Sequence, residues 1–152
     1  MPTSSYRRNL PHIQRDFTPR FITFCTAQRW EIPEMARSLV LESCIYENQR
    51  SIDLLAAVVM PDHVHLIGTP LILGDHVAKL HSILRTIKSA SAHKVNRALQ
   101  RQGQLWQEES FDHIVRSAEG VDAKIGYILD NPVRRRIAQH RREYPWGWVA
   151  DS

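Results

Sequence analysis

Val58-Val59-Met60-Pro61-Asp62-His63-Val64-His65-Leu66-Ile67-Gly68-Thr69-Pro70 is the stretch that decides how this chain folds. Leu54 to Met60 is a nearly continuous apolar run that stops at Pro61, the pattern of a buried strand. His63 to Gly68 reads as the next strand. Only Pro61 and Asp62 separate the two, which predicts a tight hairpin. Side chains alternate along a strand, so His63 and His65 share a face with Val64 on the other. Two neutral imidazoles on one face can grip a metal ion. The bland alternative is a pair of histidines that satisfy local polar groups.

Upstream of the hairpin, residues 1–19 form a basic, Pro-containing lead-in. Phe21 to Thr26 is a β-branched and aromatic run, hence a strand. Residues 35–49 carry apolar positions at Met35, Leu39, Leu41, Cys44 and Ile45, which suits a helix. Downstream, Val77, Leu80, Leu84, Ile87, Ser91, Val95 and Ala98 recur at intervals of three and four, predicting a helix over 76–101 that Gly103 ends. An extended segment over 105–116 follows, then a helix from Glu119 to about Asp130, and a tail over 140–152. Pro132 biases Asn131 away from helical geometry, so the last helix stops or kinks there. The order β-α-β-β-α-β-α predicts an α+β fold: a ferredoxin-like (RRM-like) antiparallel sheet sandwich with an extra C-terminal helix. The hairpin then occupies the centre of the sheet, and the last helix covers the face opposite the other two.

The chain of 152 residues, 43% of them hydrophobic, is the size of a single domain, 1–152. Two widely spaced cysteines, Cys25 and Cys44, make neither a disulfide framework nor a zinc motif and suit a reducing compartment. No apolar run is long enough to span a membrane, and the polar N-terminus lacks the apolar stretch of a signal peptide. The expected location is the cytoplasm. A formal charge of +4 is modest, but the cations cluster: Arg7 and Arg8 at one end, Arg134, Arg135, Arg136, Arg141 and Arg142 near the other. Such clusters suit a polyanion, although a solvated charged surface accounts for many of them.

Tyr127 and Asn131 are four residues apart and share one side of the last helix with Lys124. That side lies away from the apolar stripe of Val121, Ile125, Ile128 and Leu129. A tyrosine there has its hydroxyl free for chemistry; a solvated surface tyrosine is the competing reading.

Taken together, His63-Val64-His65 on a strand and Tyr127 with Asn131 on a late helix resemble the HUH single-tyrosine transposases (the IS200-like transposase domain). Val59-Met60-Pro61-Asp62-His63-Val64-His65-Leu66 is similar to that family's VMPNHVHL stretch. Leu105-Trp106-Gln107, Ser110 to Arg116, Tyr127-Ile128-Leu129-Asp130-Asn131-Pro132-Val133-Arg134 and Tyr144-Pro145-Trp146 resemble its later segments, in the same order. The match runs from about Arg7 to Trp148. The YIxxNPV word is most like the REP-associated tyrosine transposases. Asp62 stands where Asn is commoner, and Arg135-Arg136 where Ala-Gly is common.

The resemblance implies a metal-dependent single-stranded DNA endonuclease and strand transferase, acting on hairpins such as REP palindromes through a 5′-phosphotyrosine. Tyr127 matches the nucleophile, and His63, His65 and Asn131 match the metal ligands. Amide oxygen and water suit Mg²⁺, with Mn²⁺ as a substitute. The implied partner is single-stranded or hairpin DNA, which places the protein at the nucleoid; a homodimer is compatible with the family. Candidate DNA contacts are Arg7, Arg8, Arg85, Lys88, Lys124, Arg134, Arg135 and Arg136, with Trp146 and Trp148 either stacking on bases or docking the tail. Three rivals remain at this point: a domesticated, catalytically silent hairpin-binding protein, an RNA-binding sheet module, and a small metal hydrolase or zinc protein.

Overall fold

A computed structural model describes residues 18–151. Arg7 and Arg8 lie outside the described residues. The chain forms β1 (Arg20–Cys25), α1 (Glu34–Tyr46), β2 (Ile52–Val59), β3 (His63–Pro70), a small ribbon of β4 (Ile72–Leu73) and β5 (His76–Val77), α2 (Leu80–Leu99), β6 (Phe111–Ile114), α3 (Ala118–Leu129), the one-turn α4 (Asn131–Arg134) and β7 (Gly147–Val149). The main sheet is antiparallel with order β6-β1-β3-β2-β7. Its first four strands have the ferredoxin-like arrangement, and β7 adds a fifth at the β2 edge. The α+β sandwich expected from the element order is therefore the observed fold.

The two faces of the sheet bury separate cores. Ile22, Phe24, Leu66 and Val64 pack under α1 and α2 with Val40, Ile87 and Val95. Val58, Ile67 and Met60 pack under α3 with Val121 and Ile128. A bulge in β2 shifts the register between Leu54 and Ala56, so Leu55 and Ala56 both serve the α3 side. Every residue of β2 is buried, because helices cover both faces and β3 and β7 flank it. This is why its sequence is continuously apolar rather than alternating.

Four local expectations need correction. The second helix begins at Leu80, not at 76, because Gly74 (φ +67°) and Asp75 make a two-residue turn that pairs Leu73 with His76 and Ile72 with Val77. It ends at Gln100 in the left-handed region (φ +54°), where Arg101 N–H bonds back to Asn96 O; Gly103 comes later. The 105–116 segment is a strand only at 111–114, with Trp106 bridging to Thr26. The tail contributes β7, in which Trp148 pairs with Ala57. Trp146 donates from Nε1 to Ser38 Oγ (3.0 Å), so both tail tryptophans dock the tail onto the fold.

Candidate active site

The hairpin turn that precedes the histidines is pinned from three directions. Met60 N–H donates to His63 O (2.8 Å), Ile32 N–H to Pro61 O (2.7 Å), and Thr26 N–H to Asp62 O (3.0 Å). The Asp62 carboxylate accepts from His63 Nδ1 (2.8 Å) through one oxygen and from the Arg29 guanidinium (3.0 Å) through the other. His63 is thereby fixed as the tautomer whose Nε2 carries the lone pair.

His65 is held differently. Its Nδ1 is hydrogen-bonded to Thr23 Oγ1 (2.8 Å), and its ring stacks on Phe21 (centroids 5.4 Å, planes 19° apart). Both partners come from β1, whose register places Thr23 opposite His65 and Cys25 opposite His63. The two imidazoles stand edge to face at 4.8 Å, with each Nδ1 engaged. Burial depresses both histidine pKa values, for His63 against the opposing pull of Asp62; His65, further opposed by His63 and by Arg134 and Arg135, falls to about 3. Both rings are neutral at pH 7, the form that can coordinate a cation.

The third component arrives from α3 and α4. Ser117 caps α3 by accepting from Gly120 N–H (2.9 Å), and the Val121–Ile128 stripe seats the helix over β2 and β3. Asp130 ends it. Asn131 then starts α4 with its side chain turned inward, 6% exposed, and its Nδ2 donates to His63 Nε2 (3.4 Å). Tyr127 stays half exposed at 50%, with its ring edge-on to Phe21 at 6.4 Å. Tyr127 and Asn131 are therefore one turn apart in sequence but differ in burial, because the helix breaks between them. Arg134 ties the two together. Its guanidinium lies 3.8 Å over the Tyr127 ring and donates to Tyr127 O (2.6 Å) and Asn131 Oδ1 (3.3 Å). Lys124 Nζ sits 5.1 Å from Phe21 and 5.9 Å from Tyr127.

His63, His65 and Asn131, the last nearly seventy residues on from the histidines, thus come together on the α3 face of the sheet, and Tyr127 neighbours them in the same chain through Phe21 and Arg134. A family model described as "Transposase IS200 like" matches residues 18–130. The chain belongs to the IS200-like transposase family. A Haemophilus influenzae protein assigned to the REP-associated tyrosine transposases is 24% identical over 98 residues, covering 60% of this chain and 56% of that protein. The chain thus spans little more than half the length of that curated relative. A REP-associated tyrosine transposase solved bound to a REP hairpin aligns with a TM-score of 0.68 and 21% identity, over 88% of this chain and 86% of the other. A Deinococcus radiodurans protein assigned as a transposase aligns at 0.50 and 23%, over 76% and 90%. At these identities the solved structures speak for the fold.

The other predicted contacts of this family member divide by face. Lys124, Arg134 and Arg135 surround the histidines, and Arg136 follows at the exposed end of α4 (φ +62°). Arg85 and Lys88 lie on the opposite face, in a groove of about 810 Å³ between α2 and residues 103–112. Lys88 is not free for DNA there: its ammonium donates to the carbonyls of Gln107 (2.9 Å) and Glu108 (3.1 Å), so it anchors that loop. Sequence reasoning missed Phe21, Thr23 and Arg29. The period of two in 21–26 put Phe21 and Thr23 on one face, but only the strand order shows that this face meets His65.

Two neutral imidazoles and an amide are a donor set that could hold a divalent cation, the imidazoles favouring softer ions and an amide oxygen with water favouring Mg²⁺ or Mn²⁺. Both His Nδ1 atoms are engaged, and Asn131 already reaches His63 Nε2; a half-turn of its amide would present Oδ1 instead of Nδ2, at the loss of the bond from Arg134. Among the described residues no cluster of three His, Cys, Asp or Glu competes as a metal site. No helix among them is long and apolar enough to cross a membrane.

Proposed function

We propose that this transposase-family chain cleaves and rejoins single-stranded DNA beside a hairpin, with Tyr127 as nucleophile and Mg²⁺ (or Mn²⁺) held by His63, His65 and Asn131. The observation that supports this reading is the grouping of His63, His65 and Asn131, with the Nδ1 atoms of both histidines engaged by Asp62 and Thr23 and with Tyr127 joined to the group through Arg134 and Phe21. When bound, the cation supplies Lewis-acid polarisation of a non-bridging phosphate oxygen.

The protein's own groups account for the rest. Tyr127 Oη attacks phosphorus, the P–O3′ bond breaks, and the 3′-oxygen leaves as a hydroxyl after taking up a proton. The strand remains joined as a 5′-phosphotyrosine ester, so a second 3′-hydroxyl can reverse the step on a new end without ATP. Arg134, over the Tyr127 ring and bonded to its carbonyl, holds the ring at the site, and with Lys124 it places positive charge where the phosphate must lie. Asp62 and Thr23 fix the imidazoles. Binding to a duplex stem through these cations weakens steeply as salt rises.

The test is a denaturing-gel assay for covalent protein–DNA adduct on a hairpin oligonucleotide with single-stranded tails, with and without Mg²⁺. The wild type forms the adduct only with the metal, and Tyr127→Phe forms none while still binding the hairpin. Undiminished cleavage by Tyr127→Phe overturns the assignment; binding without adduct in the wild type identifies the silent hairpin-binding protein.

A further inference from the structure

Phe111 is a large apolar side chain left 59% exposed on a strand. The register gives it a place. Phe111 lies opposite Thr23 on β1, and Thr23 lies opposite His65 on β3, so all three point to the same face in one row across the sheet. Two strand spacings, about 10 Å, separate Phe111 from the candidate metal ligand. In the next row His113 lies opposite Phe21 and tilts against it at 5.1 Å, and Phe21 in turn stacks on His65. Helix α3 covers β2 and β3 on this face, while the β6 side carries exposed rings. The intervening Asp112 points to the other face, where it pairs with Arg20 (3.1 Å), and so adds no negative charge to this row.

We infer that Phe111 and His113 form a stacking platform for the unpaired bases that flank the phosphate held at His63 and His65. Sheet-borne aromatic rings are sequence-tolerant partners for unstacked bases, since every base has a π-face. Three features of the surface favour a nucleic-acid strand. The platform is continuous with the site through Thr23 and Phe21. Lys124, Arg134 and Arg135 give the adjoining ground positive charge. The aromatic rings lie on the face, beside His65, and a second copy pairing along the free backbone edge of β6 would give them no role. The inference rests on the proposed action on single-stranded DNA and names what orients the strand there.

The experiment uses the full chain and a DNA hairpin with single-stranded tails, carrying the fluorescent adenine analogue 2-aminopurine at each tail position in turn, beside the same hairpin made blunt. The wild type binds the tailed form more tightly and quenches the probe at one or two positions. Phe111→Ala weakens tailed binding about tenfold, loses the quench and leaves blunt-hairpin binding unchanged, whereas Phe111→Trp keeps both. His113→Ala moves the quench at the neighbouring position. Because Phe111 is exposed, circular dichroism and Tm of Phe111→Ala match the wild type. If Phe111→Ala binds and quenches like a wild type that does prefer tails, the platform is wrong and the single-strand reading stands. If the wild type shows no preference for tails, both fall. If Phe111→Ala abolishes a dimer seen by sedimentation without changing tail binding, the ring serves a second copy and the platform is overturned.

Discussion

Asp62 does three things with one residue. Its backbone oxygen takes the Thr26 N–H, one carboxylate oxygen takes His63 Nδ1–H, and the other takes Arg29. Burial alone would raise its pKa, but the bonds from His63 and Arg29 outweigh it, so the group stays ionised well into acid. A carboxylate behind a ligating imidazole orients the ring and raises its basicity. Asp62→Ala is therefore expected to weaken Mn²⁺ binding about 10- to 100-fold by calorimetric titration. Asp62→Asn, which keeps an acceptor oxygen, should lose much less. Equal losses in the two variants would show that the Arg29 pair, not the His63 bond, matters. At this scale the shared face of His63 and His65 was legible from a spacing of two, and Tyr127 and Asn131 were singled out by a spacing of four with the family words. Their supports were not. Thr23 and Phe21 belong to a strand forty residues away in sequence, and nothing local says which strand will lie beside it.

Among the elements, β3 packs tightly on β2 at Gly68. A Cβ built on Gly68 would sit 2.8 Å from Ile52 Cδ1 and 2.9 Å from the backbone oxygen of Asp53. The side-chain atom can move; the strand carbonyl cannot without shifting β2. Gly68→Ala should cost about 1–3 kcal/mol and lower the Tm by several degrees in a thermal melt. An unchanged Tm would mean that the β2–β3 contact yields freely. Strands β1 to β3 and helix α3 could be read within a residue or two because period and burial agree there. The 72–77 ribbon could not: Val77 fits a helical spacing from Leu80 and Leu84 equally well, and the Gly74-Asp75 turn decides otherwise. Strand β7 was also invisible. Three residues after Pro145 carry no period, and they become a strand only because β2 offers a free edge.

Over the whole molecule, buried ionisable groups limit the pH range from both sides. His65 takes a proton at about 3 when folded, against an ordinary value of 6.5, because burial disfavours its charged form. Between those values the unfolded chain holds the extra proton, so stability of the metal-free protein falls as pH drops from about 6.5 towards 3. At the alkaline end, burial lifts Cys44 from 9.0 to about 12 and Tyr144 from 10.0 to about 12, the latter also donating its hydroxyl to Val59 O (2.5 Å). Here the folded chain keeps protons that the unfolded chain gives up. Stability is therefore full below about 9 and is lost as pH rises towards 12. Chemical-denaturation midpoints measured across pH should show both limbs, and Cys44→Ala should flatten the alkaline one. The layer order and the two cores were legible in the alternation of apolar runs. Which face each cation joined was not, and Arg85 and Lys88 are the clearest cases, since helical spacing cannot say which side of the sheet a helix will cover.

The junction at Asp130 has a consequence in time. His63 and His65 leave the ribosome early, on a hairpin that can close locally, whereas Asn131 and Arg134 are made nearly seventy residues later. During synthesis the histidines therefore spend an interval without the amide that caps His63 Nε2 or the helix that roofs Ile67. The site can be complete only once α3 and α4 have been laid down, and β7, which closes the β2 edge, follows later still.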